Sequence, residues 1–231
     1  MSATSAKSTR GSRLAAQQRL HRYAILLCSE LTLILAYPFF AGAEFREEFF
    51  RLLAIAVFSS ALYSVLGRGR ITTVAFILGL PAIAIRLVNL REHIHILRFP
   101  DEVLGLLFLG YVTGVLVWTI VADPSVTTDT LAGAVSAYLL IGITFGLAYT
   151  LIEQAVPGSF RDTIEPTKRF SQGEFTFFSF VTLTTVGYGD IVPWGSHARS
   201  IAIIESVIGI MYPAVLISRL VGMHGRKPEE P

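Results

Sequence analysis

Six long apolar runs constrain this chain more than any other feature. They lie at about residues 23–41, 49–66, 71–90, 103–121, 131–152 and 200–221, and each is long enough to cross a lipid bilayer. Lipid offers no hydrogen bonds to the backbone, so a run that spans a bilayer must be helical. Hydrophobic residues make up 52% of the chain and charged residues only 16%, a combination too apolar for a soluble domain of this size. We therefore predict an all-α membrane protein with six transmembrane helices.

Basic residues indicate how these helices are oriented. Residues 1–22 contain five basic side chains and no acidic one, and basic residues also follow the second and sixth runs. The positive-inside rule then places both termini in the cytoplasm, although the loop at residues 122–130 has two acids and no base. An organelle transit peptide, and a signal sequence cleaved near Ala41-Gly42-Ala43, remain alternative interpretations of the N-terminal segment. The single cysteine, Cys28, excludes a disulfide framework.

A short segment between the fifth and sixth runs carries the most specific pattern, Thr184-Thr185-Val186-Gly187-Tyr188-Gly189-Asp190. Gly187 and Gly189 adopt positive φ at little steric cost, so alternating them with larger residues lets successive carbonyl groups turn toward one axis. A cation that has lost its water needs such a cage of oxygens. One strip of carbonyls cannot surround an ion, and the chain has one copy, so several chains are needed around a rotation axis.

This segment resembles the selectivity filter of the tetrameric potassium channel family, in its bacterial six-helix type with a two-helix pore module and no cytoplasmic regulatory domain. The resemblance implies a homotetrameric pore with a re-entrant pore helix and filter loop. It also implies that K⁺ is bound by Thr185, Val186, Gly187 and Tyr188, that Gly189 completes the filter and that Asp190 lies at the outer mouth. The likeness is specific over residues 130–222 and only architectural over residues 23–121. Potassium is then the permeant ion, and we expect no cofactor.

The residues before this segment have the pattern of a helix start. Ser171 followed by Glu174 has the spacing of a capping box, and Phe170 with Phe175 that of a hydrophobic staple. We predict a short helix from Gln172 to Leu183, whose partially negative C-terminal end would favour a cation nearby.

Three positions in the predicted pore helix depart from the family pattern. Phe177 and Phe178 replace a pair of tryptophans found in many relatives, and Val181 replaces a glutamate found in some bacterial members. None of these side chains donates a hydrogen bond. We therefore expect these residues to support the filter by packing more than by polar bonds, and the filter to lose conduction readily in low potassium.

The sixth run contains three candidate gating or support residues. Gly209 lies at the spacing of the family's inner-helix hinge, and Pro213, one turn later, removes a backbone hydrogen bond. Close packing of helices explains Gly209 equally well. Glu205 lies one turn before Gly209 and either faces the cavity or braces the pore helix.

The first four runs resemble a voltage-sensor domain without gating arginines. The fourth run, residues 103–121, has no charged residue, whereas a sensing helix needs a basic residue at every third position. We expect weak voltage dependence and expect Arg86, Arg91 and Arg98 to reach the outer end of the third run. A charged Glu30 in the first run would be costly in lipid, which leaves three interpretations. The side chain pairs with Arg68 or Arg70, it is protonated, or it has a tuning role. His93 and His95 sense pH or bind a metal, or more simply lie on the solvated surface.

These observations divide the chain into a basic tail (1–22), a four-helix domain (23–121), a pore domain (131–221) and a short tail (222–231). The predicted function is passive, potassium-selective conduction, with the chain itself and membrane lipids as partners, no nucleic acid, and a possible separate regulatory subunit. The predicted location is a cell membrane, as in a bacterial inner membrane. Alternatives are a non-conducting or modulatory channel subunit, and a potassium uptake transporter subunit. No enzyme signature occurs in the sequence.

Overall fold

The structure, a computed structural model, describes residues 22–36, 39, 46–92, 97–122, 128–165, 167 and 169–224. Most of the two predicted tails, the Ala41-Gly42-Ala43 segment, His93 and His95 lie outside the described residues.

Seven helices and one small two-stranded sheet form the described part of the chain. Helix α1 covers residues 22–36, and the other helices are α2 (Arg46–Ser64), α3 (Arg70–Glu92), α4 (Arg98–Ala122), α5 (Thr128–Ala155), α6 (Gln172–Leu183) and α7 (Ser196–His224). Strands β1 (Phe160–Asp162) and β2 (Ile191–Pro193) pair antiparallel, with Arg161 opposite Val192. The predicted helical class is confirmed, and the short sheet is an addition to it.

Four of the described helices are long and apolar enough to cross a membrane. They are Arg70–Leu90, Arg98–Ala122, Thr130–Ala155 and Ser196–Arg219. The other two predicted spans also fall on helices, but α1 is described only over residues 22–36, and α2 begins with several charged residues that shorten its apolar part. Six apolar runs therefore correspond to six helices, of which four have the length and composition of a membrane span.

The larger of two apolar cores contains buried residues of all five helices from α1 through α5. Phe58 of α2 and Phe108 of α4 lie at its centre with their ring centroids 5.3 Å apart. Gly79 of α3 leaves room for the Phe108 ring, since a Cβ at this glycine would come within 2.7 Å of it. Packing of α4 against α5 links the first four helices to the rest of the chain.

The sequence predicts that Arg86 of α3 extends to the membrane surface, but the structure places it in the interior. It is 4% exposed, and its guanidinium lies 4.1 Å from the centre of the Phe58 ring. Its Nε is 3.1 Å from Asp101, and its Nη2 is 3.9 Å from Glu102, both in the first turns of α4. Gly105 makes room for this guanidinium. The arginine stays inside because two acidic side chains on the neighbouring helix offset the cost of burying its charge.

Glu30 of α1 is fully buried, but it does not form the ion pair considered from the sequence. Among the described residues no basic side chain pairs with it, and the polar side chain that interacts with it is Ser136 of α5. Arg68 instead donates to the hydroxyl groups of Tyr23 and Thr119, and the side chain of Arg70 is exposed. Pairing with either arginine was therefore the wrong interpretation.

A second, smaller core lies under the segment that resembles a filter. It joins α5, α6, α7 and both strands through six buried residues, which are Tyr149, Phe160, Phe175, Phe178, Ile191 and Ala198. The rings pack edge to face, with centroids 5.0 Å apart for Tyr149 and Phe178 and 4.9 Å apart for Phe160 and Phe175. This core therefore sets the position of α6 relative to the helices on either side of it.

Candidate functional site

The helix that leads into the site begins where the sequence predicts. Ser171 is the N-cap of α6, and its side chain accepts a hydrogen bond from the backbone N–H of Glu174. The Glu174 carboxylate in turn accepts from the backbone N–H of Ser171 at 2.8 Å, which completes the capping box. The Phe170 and Phe175 rings lie 5.2 Å apart, as expected for the hydrophobic staple.

The segment that follows α6 is tied to the end of that helix by backbone hydrogen bonds. The N–H of Thr185 donates to the carbonyl of Thr182 at 2.9 Å. The N–H groups of Val186 and Gly187 both donate to the carbonyl of Val181, at 2.9 and 3.3 Å. The backbone N–H groups thus fix the first half of the segment to α6. Its backbone carbonyl oxygens are the groups that remain available to a ligand.

Positive φ angles recur along this segment in the predicted alternation. Gly187 has φ of 58° and Gly189 of 78°, so the positive φ predicted for the two glycines is confirmed. Thr185 also has φ of 60°, which sequence reasoning did not predict for a β-branched residue. A threonine in the left-handed region stores strain of about 1 kcal/mol or more, which persists only where the surroundings hold it.

The site in a single chain is an open strip. Val186 is 54% exposed and Tyr188 is 71% exposed, although both side chains are largely apolar. The Tyr188 ring stacks on Phe177, with centroids 6.3 Å apart and planes inclined by 10°. Phe177 therefore supports the segment by ring packing, as expected for a residue that cannot donate a hydrogen bond.

The outer end of the strip is held by a contact that the sequence did not indicate. The hydroxyl of Thr163 donates to the carbonyl oxygen of Gly189 at 2.9 Å, and the N–H of Thr163 donates to the carbonyl of Asp190 at 2.8 Å. Thr163 reaches this position because it directly follows β1, and β1 pairs with β2. The Asp190 carboxylate accepts from the N–H of Ile191, which fixes it at the end of the segment.

The Glu205 carboxyl group is buried behind α6. Its position decides between the two alternatives that the sequence left open for this residue. This side chain of α7 is fully buried and contacts Ser179 of α6 at 2.5 Å. Its other oxygen accepts a hydrogen bond from the Tyr149 hydroxyl of α5. Glu205 therefore braces α6, and polar bonds contribute to that support more than the sequence suggested.

Glycines allow α5 to approach α6 closely. A Cβ on Gly142 would come within 2.7 Å of the Phe180 ring, and a Cβ on Gly146 would come within 2.9 Å of the Cα of Thr176. The two glycines are four residues apart, the spacing by which small residues let helices pack in membranes. The spacing of these two glycines in the fifth run is a sequence feature that indicates such a contact, although it was not among the features singled out above.

The remaining candidates are placed as follows. Val181 and Phe178 are buried, Phe178 against Tyr149, so both support α6 by packing. Gly209 faces the carbonyl of Leu183 at the end of α6, which favours the close-packing interpretation of this glycine. Pro213 lies within the continuous helix α7, and a gating role for Gly209 and Pro213 stays a prediction.

The family comparison agrees with the geometry of this site. Residues 137–224, which include most of α5 and all of α6 and α7, match a family model described as "Ion channel". The matched region contains the strip, its supporting helix and Glu205.

Three relatives show how far the similarity extends. Protein LctB of Bacillus caldotenax is 35% identical over 127 residues, which are 49% of this chain and 92% of LctB. The inward rectifier potassium channel Kirbac3.1 of Paramagnetospirillum magnetotacticum is 35% identical over 35% of this chain and 25% of its own length. The two pore potassium channel c of Oryza sativa subsp. japonica is 35% identical over 37% of this chain and 17% of its own. This chain thus covers a quarter or less of the two named potassium channels. No solved structure matches the chain.

Proposed function

Because the chain belongs to the ion channel family, we propose that it is a potassium-selective channel that conducts K⁺ passively across a cell membrane. The observation that carries the proposal is the alternation of positive φ at Thr185, Gly187 and Gly189 in a strip anchored to the end of α6. Such a backbone presents a row of carbonyl oxygens, which replace the hydration shell of a potassium ion. Two relatives whose names state that they are potassium channels support the choice of ion.

The functional unit in this proposal is a homotetramer. The strip of one chain forms only one side of an oxygen cage, and the exposed Val186 and Tyr188 side chains beside it would be covered by neighbouring copies. Four strips around one axis would bind K⁺ through Thr185, Val186, Gly187 and Tyr188, with Asp190 at the outer mouth. Six spans would place both termini in the cytoplasm.

The gating proposal follows from the charges of α4. Residues 103–122 of this helix carry no charged side chain, so its movement through the membrane would transfer little charge. Arg86 lies on α3 and is neutralised by Asp101 and Glu102. We therefore propose a channel without steep voltage dependence, controlled at the filter or near Gly209.

Ion flux into liposomes tests the proposal. Purified protein in potassium-loaded liposomes should pass K⁺ much faster than Na⁺. Gly187→Ala should abolish selective flux, because an alanine at φ of 58° is strained although no atom occupies the space of its Cβ. Gly158→Ala is the matched control, since Gly158 also has positive φ and open space but lies outside the strip.

Equal passage of sodium and potassium by the wild-type tetramer would refute the proposal. A stable tetramer without any flux would instead favour the modulatory subunit, and a monomer in lipid would exclude a four-fold cage.

A further inference from the structure

If the Glu205 side chain is ionised, the groups around it have too few hydrogen atoms to form all the hydrogen bonds that the oxygen–oxygen distances require. The Ser179 hydroxyl oxygen lies 2.6 Å from the carbonyl oxygen of Gly142 and 2.5 Å from one carboxyl oxygen of Glu205. Both distances are hydrogen-bond distances, so each pair of oxygens needs a hydrogen atom between them. A serine hydroxyl has only one hydrogen to give.

The direction of each bond follows from what the partners are able to donate. The Gly142 carbonyl only accepts, so the Ser179 hydrogen belongs to that contact. The hydrogen between Ser179 and Glu205 must then come from Glu205. The Tyr149 hydroxyl donates to the other carboxyl oxygen, which is the carbonyl oxygen of the acid. One continuous chain results, from Tyr149 to Glu205 to Ser179 to Gly142, in which every donor has an acceptor.

From this hydrogen count we infer that Glu205 is a neutral carboxylic acid, and that it acts as a positioning residue which ties α5, α6 and α7 together behind the filter. The functional part of this inference rests on the proposed channel function, whereas the protonation of Glu205 does not. The chain of bonds begins and ends on α5, passes through the middle of α6 and includes α7. It therefore holds α6 from two sides, through α5 and through α7.

The surroundings of Glu205 agree with a neutral acid. It is fully buried, and the described residues include no ion pair to it. The titratable side chains near it are Tyr149 and Tyr138 of α5, while α6 presents the hydroxyl of Ser179. A buried carboxylate without a cation would be costly in this part of the membrane protein.

Infrared spectroscopy tests the protonation directly, without any measurement of conduction. The difference spectrum of the wild-type protein minus Glu205→Gln should show the carbonyl stretch of a neutral carboxylic acid, and the band should shift in heavy water. In Tyr149→Phe the band should move to higher frequency, because the acid carbonyl loses its hydrogen bond from Tyr149. A difference spectrum with carboxylate bands and no acid band would overturn the inference.

Conduction of three variants tests the positioning role. Glu205→Gln should keep potassium flux and selectivity, because its amide still accepts from Tyr149 and donates to Ser179. Glu205→Leu has a similar size but forms neither bond, so potassium flux or selectivity should fall by about thirtyfold, as for two lost hydrogen bonds of about 1 kcal/mol each. Ser179→Ala should resemble the leucine variant.

Equal loss in the glutamine and leucine variants would contradict the positioning role. If wild-type protein conducts no potassium, the channel proposal fails, while the infrared band still decides whether Glu205 is protonated.

Discussion

Gly209 of α7 lies directly against the backbone of Leu183 at the end of α6. A Cβ atom on Gly209 would come within 1.9 Å of the Leu183 carbonyl oxygen and within 2.8 Å of its carbonyl carbon. Backbone atoms at the end of a helix cannot shift as the tip of a flexible side chain does. The glycine is therefore needed for the contact between α7 and the last turn of α6.

Gly209→Ala should reduce the thermal stability of the assembled protein and its potassium flux, because the added methyl group forces α7 away from Leu183. Gly114→Ala is the matched control, since Gly114 also lies within a helix but has no atom within 4 Å of its Cβ position. Alanine favours a helix over glycine by about 1 kcal/mol, so the control should be neutral or slightly stabilised. Thermal unfolding in detergent and liposome flux measure both effects. A Gly209→Ala protein of normal stability but altered opening would favour the hinge role instead.

Arg86→Leu should destabilise the fold by about 3 kcal/mol, because it removes the main cation beside the buried Glu102 and the largely buried Asp101 and leaves them only the weaker influence of Arg51 and Arg98. Adding Asp101→Asn and Glu102→Gln to this variant should recover much of the loss. Chemical or thermal unfolding of the detergent-solubilised protein measures the difference. Arg70→Gln serves as the surface control, since this arginine is exposed, and should change stability by less than about 0.5 kcal/mol. Equal stability of Arg86→Leu and Arg70→Gln would show that the buried ion pairs do not matter.

Thr163→Val should accelerate the loss of current after external potassium is removed. Valine keeps the shape of threonine and the backbone N–H bond to Asp190, but it has no hydroxyl to donate to the Gly189 carbonyl, so this end of the strip is less well held. One neutral hydrogen bond of about 1 kcal/mol corresponds to about a fivefold change in rate. Thr163→Ser keeps the hydroxyl and should behave as the wild type. A valine variant with an unchanged decay would mean that this hydroxyl does not support the filter.

The conductance should change only slowly with membrane potential. Each charge carried across the whole membrane contributes about 2.3 kcal/mol per 100 mV, and residues 103–122 of α4 have no charge to carry. Patch recordings over a wide voltage range measure the slope. A conductance that rises e-fold within a few millivolts would contradict this prediction and point to another charged element.

Local patterns along the sequence determined most of the elements and the centre of the site. The capping box of Ser171 and Glu174 predicted the start of α6, and the alternating glycines predicted the positive φ of Gly187 and Gly189. Both depend on residues only a few positions apart, because a helix cap and a φ angle are local properties of the backbone. The apolar runs predicted helices for the same reason.

Only the tertiary structure decided which distant residues support that site. Glu205 meets Ser179 from 26 residues away and Tyr149 from 56 residues away, and no local pattern records such separations. The sequence predicts Arg86 near water because nothing local indicates that Asp101 and Glu102, on the next helix, are its neighbours. The sequence by itself thus determined the helices and the carbonyl strip, through backbone preferences. Packing of the helices decided where each buried charge finds its partner, because that depends on which faces meet in three dimensions.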